Sequence, residues 1–204
     1  MKTVIAEIIN DLVSNELSIQ DAVFAPHLLE ELHTEFEARR NKQDFKQAAV
    51  GKGLLKKKIK QIRGDQICWV DESTENTALK QFNSFLLELM NSIRQELFVP
   101  LKRHESHFAL YLPGSFYKKH KDQHKNSPHR QLSCVLYLSS WEEGDGGELL
   151  IHKKMKEQRI EPLRGRFVCF LSGKVIHEVL PCKYERKSLT SWMRDDILLP
   201  IPIL

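Results

Sequence analysis

The sequence has few cysteines, no long apolar run and no internal repeat. Its four cysteines, Cys68, Cys134, Cys169 and Cys182, form no CxxC pair, so we expect reduced thiols and no zinc-thiolate site. No apolar stretch approaches the roughly 20 residues that span a bilayer. The first residues lack the pattern of a secretory signal. These absences predict a cytoplasmic protein with no membrane partner.

What the sequence does contain is typical of a globular protein. Of its 204 residues, 41% are hydrophobic and 28% are charged, which excludes a wholly disordered or fibrous chain. The net charge of +4 permits an acidic partner but does not require nucleic acid. The length predicts one domain over residues 1–204. We expect helical support and a substrate loop in residues 1–100, and a β core in residues 101–204.

The first half of the chain has the periodicity of helices. Apolar residues at spacings of three and four predict helices over residues 3–16, 19–39 and 78–99. Ser18 is the predicted N-cap of the second helix. Pro100 is expected to end the third helix. Such an apolar stripe is typical of a helix that packs against the sheet formed by the second half.

Residues 40–62 are polar and basic, and this composition predicts a solvated loop. The functional alternative is a basic rim that holds an acidic macromolecular partner. Short β-type runs separated by turn signals follow, and they predict a β-sandwich or barrel. The predicted strands cover residues 67–70, 107–112, 131–138, 148–152, 166–172, 175–180 and 188–194. The apolar, proline-broken segment 197–204 is expected to pack on the domain.

Two of the nine histidines lie in informative settings, and the other seven, His107 among them, lie singly in polar or surface-like surroundings. In an extended segment, His120 and Asp122 point to the same face. His177 interrupts an apolar strand, where a hydrogen-bonded core histidine is the structural alternative. Two histidines and one aspartate together match the facial triad that binds Fe(II) and leaves positions open for substrate and oxygen.

Arg186 follows His177 by nine positions and precedes a further apolar strand. An arginine directed into an apolar pocket is costly unless it meets an anion. A dicarboxylate co-substrate would supply that anion with a geometry that matches the guanidinium fork. The structural alternative is a surface ion pair, which contributes little.

With these residues in place, the chain resembles the 2-oxoglutarate- and Fe(II)-dependent oxygenases of the prolyl 4-hydroxylase-like group. The matching positions are Tyr111, Pro113-Gly114, Tyr117, His120-x-Asp122, Tyr137-Leu138, Trp141, Gly146-Gly147-Glu148-Leu149, Pro162, Gly165-Arg166, Phe170, His177-Glu178-Val179, Pro181, Arg186 and Thr190-x-Trp192. Upstream, the segment 62–67 and Trp69 resemble the region ahead of the core in the hypoxia-inducible-factor prolyl hydroxylases and their bacterial relatives.

The resemblance implies a double-stranded β-helix, an α+β fold with a mainly β core in which helices back two facing sheets. It implies that His120, Asp122 and His177 bind Fe(II). It also implies that 2-oxoglutarate chelates the iron and that Arg186 and Tyr137 bind its distal carboxylate. O2 is the other substrate of such enzymes, and ascorbate is the expected supporting reductant.

Six further residues are implied to line the pocket: Tyr111, Ser133, Leu149, Val179, Thr190 and Trp192. Tyr137 and Trp192 lie in apolar strands, so core residues whose polar atoms bind backbone are the alternative for them. The pair Gly146-Gly147 is also explained by a turn alone.

The resemblance further suggests a substrate. The segment Arg63-Gly64-Asp65 resembles that of protein prolyl hydroxylases, so a prolyl residue in a protein is the expected target. Similarity to the bacterial members makes elongation factor Tu the candidate protein. Arg63, Asp65 and Arg130 are expected at the rim of the cleft. There, an Asp65–Arg130 ion pair would fix the loop against the sheet.

Three other functions are compatible with these residues. The same oxygenase chemistry can act on a small molecule or on another side chain. A zinc hydrolase can use two histidines and one aspartate, but it needs a general base and leaves Arg186 and Tyr137 without a role. A non-catalytic binding module is disfavoured by the intact ligand set. Nucleic-acid binding is not expected, because the basic residues lack interleaved aromatic side chains.

Overall fold

The computed structural model describes residues 2–48, 61–71, 73–125, 127–153 and 156–197. Three helices and eleven strands lie within these ranges. In chain order they are α1 (Lys2–Asn15), β1 (Leu17–Gln20), α2 (Pro26–Asn41), β2 (Lys46–Gln47), β3 (Gln66–Val70), α3 (Thr77–Leu97), β4 (Arg103–Tyr111), β5 (Tyr117–His120), β6 (Arg130–Tyr137), β7 (Leu149–His152), β8 (Gln158–Ile160), β9 (Phe167–Leu171), β10 (Ile176–Val179) and β11 (Arg186–Arg194).

The strands form two antiparallel sheets. The larger sheet has the order β1-β9-β6-β11-β4-β3-β2, and the smaller has the order β5-β10-β7-β8. Apolar residues of both sheets, such as Val135 and Leu149, pack together in one buried cluster between them. The predicted double-stranded β-helix is therefore confirmed, with the seven predicted strands present as β3, β4, β6, β7, β9, β10 and β11.

The central strands are buried on both faces. Successive side chains of a strand point to opposite faces of the sheet, so Phe108 and Ala109 of β4 belong to different cores. Phe108 packs in the cluster formed with the helices, and Ala109 packs in the cluster between the sheets. β6 divides in the same way at Leu136 and Tyr137. This double burial explains why these strands form continuous apolar runs in the sequence.

Helix α3 is the main support of the larger sheet. Asn76 is its N-cap, since the Asn76 side chain accepts a hydrogen bond of 3.0 Å from the backbone N–H of Leu79. The helix ends at Leu97, and Phe98 adopts a left-handed conformation with φ of 55°. The predicted helix over 78–99 is confirmed, and it ends before Pro100.

The predicted helix over 19–39 was wrong at its start, since residues Leu17–Gln20 form β1 and α2 begins at Pro26. β1 pairs with β9, with Leu17 opposite Phe170. Ser18 is no helix cap: it is buried in the strand and donates a hydrogen bond of 2.8 Å to Asp11. The pairing with a strand about 150 residues away outweighs the local helical pattern. Sequence alone does not reveal this pairing.

Parts of two predicted segments lie outside the described residues: positions 49–60 of the basic loop and positions 198–204 of the apolar C-terminal segment. The four cysteines are buried free thiols, as predicted. Within the described ranges, none of the helices has both the length and the apolar character required to cross a bilayer.

Candidate active site

Three potential metal ligands meet between the two sheets. His120 of β5 and His177 of β10 are directly paired in the smaller sheet, and Asp122 follows β5 by two residues. His120 Nε2 lies 3.5 Å from Asp122 Oδ1, and His177 Nε2 lies 3.8 Å from Asp122 Oδ2. One ligand atom from each residue lies within 4.8 Å of the other two. The structure thus brings together the three residues that the sequence singled out.

Backbone carbonyls set the orientation of both imidazoles. His120 Nδ1 donates to the carbonyl oxygen of Lys118 at 2.7 Å, and His177 Nδ1 donates to that of Val175 at 3.3 Å. A carbonyl only accepts, so Nδ1 carries a proton in each ring, and Nε2 is the nitrogen that faces Asp122. Burial lowers the pKa of His177 to about 4, which leaves this imidazole neutral at physiological pH.

The Asp122 carboxylate is buried and held by a serine. Ser133 donates a hydrogen bond of 2.6 Å to Asp122 Oδ2, and its hydroxyl also lies 2.8 Å from that of Ser172. Burial raises the pKa of Asp122, but His177, His120 and the Ser133 hydroxyl outweigh it and hold the pKa well below its usual range. The ionised carboxylate is the form in which Asp122 can bind a metal ion.

The Ser133 hydroxyl is therefore expected to contribute to metal affinity. We expect Ser133→Ala to weaken metal binding by about 10-fold or more, because partners that orient ligands are typically worth ~10–100-fold. Calorimetric titration of the metal-free protein with Mn²⁺ measures the effect. Ser191→Ala is the matched control, since Ser191 is also buried but pairs with Ser106 instead. Equal Mn²⁺ affinity in the two variants would contradict this role.

Two aromatic rings pack on the histidines. Tyr117 stacks on His120, with ring centroids 3.6 Å apart and planes 16° from parallel. Phe170 meets His177 edge-on at 4.7 Å. Arg63 in turn places its guanidinium 4.3 Å from the centre of the Tyr117 ring. A continuous stack therefore joins the upstream segment to His120, one of the potential metal ligands.

Arg186 lies in the larger sheet at the same cavity. It is opposite Tyr111 in the β4–β11 register, and its guanidinium lies 4.9 Å from the Tyr111 ring and 4.8 Å from the Tyr137 ring. Arg186 is only 5% exposed, and within the described part of the chain it makes no ion pair. The surface ion pair considered for Arg186 is therefore not what the structure shows.

Arg186 Nε and Tyr137 Oη are both buried without a hydrogen-bond partner among the described residues. A carboxylate could accept hydrogen bonds from both groups and would also neutralise the charge of the guanidinium. The residues present therefore fit the distal end of a dicarboxylate. Burial lowers the pKa of Arg186, but the phenols of Tyr137 and Tyr111 outweigh it and the pKa is raised, so the positive charge is retained.

Gly147 gives Arg186 the space that it needs. Its φ is +74°, and a Cβ there would lie 2.9 Å from Cys182 Sγ and 3.1 Å from Arg186 Cδ. An L side chain would be strained by the conformation and would collide with the arginine. The Gly146-Gly147 turn thus has a role beyond reversing the chain.

Four of the residues predicted for the pocket line the cavity, namely Tyr111, Leu149, Thr190 and Trp192. The other two of the six lie beside it: Ser133 contacts Asp122, and Val179 pairs with Leu149 and Tyr117. Tyr137, which was predicted to bind a carboxylate with Arg186, packs against Arg186. Six lining residues were missed by the sequence reasoning: His107, Ala109, Tyr117, Val135, Phe170 and Ser188. Alternation along each strand from Tyr111, Tyr137 or Arg186 places most of them on the same face, which is the signal that could have found them.

The rim residues differ from the predicted arrangement. Arg63 and Asp65 line the cavity, but they bind each other, with Arg63 Nε 2.7 Å from Asp65 Oδ1. Arg130 instead donates to Glu105 at 3.0 Å and covers the Trp192 ring at 3.4 Å. The predicted Asp65–Arg130 pair was wrong, because each charge has a nearer partner.

His107 is not in surface-like surroundings, as the sequence had suggested. It is 3% exposed and lines the metal cavity. Burial lowers the pKa of His107 to about 3, and the nearby cations Arg63 and Arg130 act in the same direction. The imidazole is therefore uncharged at neutral pH.

The fold and the site together define a class of protein. Two imidazoles and one carboxylate inside a double-stranded β-helix, with open positions beside them, are the ligand set of non-heme Fe(II) oxygenases. The unpartnered arginine in the same cavity indicates an acidic co-substrate.

Comparison with known proteins agrees with this class. The family model of the 2OG-Fe(II) oxygenase superfamily matches residues 106–194. A Pseudomonas putida prolyl-4-hydroxylase aligns with a TM-score of 0.85 and 36% identity, covering 95% of this chain and 100% of that one. A Trichoplax adhaerens prolyl hydroxylase, solved with a hypoxia inducible factor peptide fragment, has a TM-score of 0.87 and 22% identity, covering 95% of this chain and 90% of that one.

The viral collagen prolyl hydroxylase of Paramecium Bursaria Chlorella virus-1 has the same fold, with a TM-score of 0.65, 21% identity, and coverage of 90% of this chain and 98% of that one. The chain belongs to the 2-oxoglutarate- and Fe(II)-dependent oxygenase superfamily and is a dioxygenase of the prolyl 4-hydroxylase type. Membership of this family implies Fe(II), 2-oxoglutarate and O2.

Proposed function

We propose that this dioxygenase hydroxylates a prolyl residue in a protein, with elongation factor Tu as the first candidate substrate. The observation that carries the proposal is the 36% identity to the Pseudomonas putida prolyl-4-hydroxylase over that enzyme's whole length. A polypeptide substrate is supported by the Trichoplax structure, which contains a peptide and shares this fold. It is also supported by the half-exposed Trp69, whose ring lies beside two residues of the cavity wall, His107 and Trp192.

In this proposal His120, Asp122 and His177 hold Fe(II). Arg186 and Tyr137 bind the distal carboxylate of 2-oxoglutarate through the donors that have no partner in the described structure. When bound, Fe(II) and 2-oxoglutarate supply the oxidising chemistry: O2 gives one oxygen atom to the prolyl C–H bond and the other to succinate, with release of CO2. Ascorbate would keep the iron reduced between turnovers.

The contribution of the chain is to position the reactants and to exclude water. Part of the wall around the three potential metal ligands is apolar, with Ala109, Val135, Leu149 and Phe170 facing the cavity. Such a lining limits the water that competes for the open metal positions, and it strengthens the electrostatic contacts of Arg186. Asp65, the remaining carboxylate of the cavity, is occupied by Arg63, so it is not available as the general base that a zinc hydrolase requires.

The proposal is tested with metal-free protein reconstituted anaerobically with Fe(II) and 2-oxoglutarate. Air-saturated buffer starts the reaction in the presence of purified elongation factor Tu, of a peptide library prepared from a bacterial proteome, or of free L-proline. Succinate is quantified, and mass spectrometry locates added oxygen atoms. We expect succinate release to depend on a polypeptide and one oxygen atom to be added to a proline.

The possible outcomes test separately the candidate protein, the prolyl target and the dioxygenase chemistry. Hydroxylation of prolines in the library but not in elongation factor Tu would retain the prolyl hydroxylase and remove this candidate protein. Turnover with free L-proline alone would favour a small-molecule oxygenase. Oxygen added only to residues other than proline would overturn the prolyl assignment and keep the dioxygenase chemistry.

A further inference from the structure

His107 brings to the cavity wall a nitrogen that takes no part in the metal site or the carboxylate site. His107 Nδ1 is buried and has no hydrogen-bond partner among the described residues. An unpaired buried polar atom of this kind destabilises the folded protein, so its presence needs an explanation. Because His107 lines the metal cavity, a molecule that enters the cavity can supply the missing partner.

The His107 ring is held in a fixed orientation. Trp192 stacks on it at 4.8 Å with planes 30° apart, and Trp69 packs on it at 5.1 Å. Arg130 covers Trp192 in turn, at 3.4 Å from the ring centre. The two tryptophans also contact each other, with ring centroids 6.2 Å apart, so the three rings support one another while the His107 nitrogen stays unpaired. A preorganised donor or acceptor loses little entropy on binding, which is a property of recognition sites.

The position of His107 excludes 2-oxoglutarate as its partner. Tyr111 pairs with Arg186 and His107 pairs with Thr190 in the β4–β11 register, so His107 lies four residues along the strand from the carboxylate site. At ~3.4 Å per residue the separation is about 14 Å. The four carbon–carbon bonds of 2-oxoglutarate, each ~1.5 Å, span less than about 6 Å. His107 is therefore on the part of the cavity left for the other substrate.

We infer that His107 binds the polypeptide substrate by donating a hydrogen bond from Nδ1 to a backbone carbonyl that flanks the target proline. Proline has no backbone N–H, so the polar backbone groups on either side of its ring are carbonyl acceptors. A neutral imidazole with its proton on Nδ1 matches such an acceptor. This inference deepens the proposed function and rests on it.

The test compares His107→Phe with the unaltered protein. Phenylalanine keeps an aromatic ring packed against Trp69 and Trp192 but has no nitrogen. We expect kcat/KM for proline hydroxylation, measured with elongation factor Tu and with the peptide library, to fall about 10-fold, the equivalent of one hydrogen bond. The KM for 2-oxoglutarate and the affinity for Mn²⁺ should stay within about twofold, since neither site involves His107.

A second pair of variants tests the hydrogen bond separately from the stacking of the ring. His107→Asn and His107→Ala both lose the ring, but the asparagine amide places an N–H near the position of Nδ1. We expect kcat/KM several-fold higher for His107→Asn than for His107→Ala.

The possible failures are distinguishable. If the unaltered protein hydroxylates proline and His107→Phe does so equally well, the role of His107 is overturned and the proposed function stands. If the KM for 2-oxoglutarate rises in His107→Phe by as much as kcat/KM for the polypeptide falls, the role of His107 in substrate binding is also overturned, because His107 would then act on the co-substrate. If the unaltered protein adds oxygen to no proline in either probe, the proposed function fails and the inference fails with it.

Discussion

Replacing His177 by alanine is expected to abolish 2-oxoglutarate turnover and to reduce metal affinity by at least ~100-fold, since even partners outside the ligand set are worth ~10–100-fold. The variant keeps Asp122 and His120 but loses the most deeply buried nitrogen ligand, whose Nε2 lies 3.8 Å from the carboxylate. Two ligands on a partly open site do not retain a divalent ion well. Metal content after dialysis and succinate release both measure the effect.

His27→Ala is the matched control for this variant. His27 is exposed near the start of α2, far in sequence from the cavity residues, and its loss should leave metal content and turnover unchanged. If His177→Ala retains Fe(II) and turns over 2-oxoglutarate like the control, then His177 is a core histidine and the ligand set proposed here is incorrect.

Replacing Arg186 by methionine is expected to raise the KM for 2-oxoglutarate by about 100-fold or more, because two charge-assisted hydrogen bonds of ~1.5–3 kcal/mol each are lost. The same change should maintain or increase the thermal stability of the protein without co-substrate. Arg186 is a buried cation without an ion-pair partner among the described residues, and an apolar side chain of similar length removes that charge from the interior.

Thermal denaturation with and without 2-oxoglutarate, in the presence of Mn²⁺, measures both effects. The unaltered protein should gain stability from the co-substrate by mass action, whereas Arg186→Met should gain little at the same concentration. Arg159→Met is the matched control, since Arg159 is largely exposed on β8. A co-substrate-dependent gain in Arg186→Met equal to that in the control would rule out Arg186 as the carboxylate site.

Much of the fold follows from local patterns. The amphipathic stripe of α3 and the apolar runs of the central strands predicted elements that the structure contains, because each buries a face defined by nearby residues. The spacing of His120 and Asp122 predicted a shared direction, and pairing between β5 and β10 brings His177 to them. The link between these distant segments came from the residue types of a facial triad and from the family resemblance, and not from any local pattern.

What could not be predicted depends on contacts between distant parts of the chain. β1 exists because β9 offers it a partner, and its residues alone favour a helix. Asp65 and Arg130 carry opposite charges, but their actual partners, Arg63 and Glu105, are decided by a few ångströms of geometry. Alternation along β4 gives the face that His107 occupies, but its setting is formed by Trp69 and Trp192 from two other strands.

The central strands of the larger sheet separate the helical core from the cavity, and each strand contributes alternate side chains to the two sides. Consecutive residues of β4, such as Phe108 and Ala109, are therefore subject to different selection: one maintains the attachment of the helices, and the next shapes the space beside the metal. The effect of substitutions along these strands should therefore alternate with a period of two: one position affects folding, and the next affects specificity. New substrate preferences are thus accessible at cavity-facing positions outside the metal and co-substrate sites, such as Ala109 and Val135, without disturbing the support behind them.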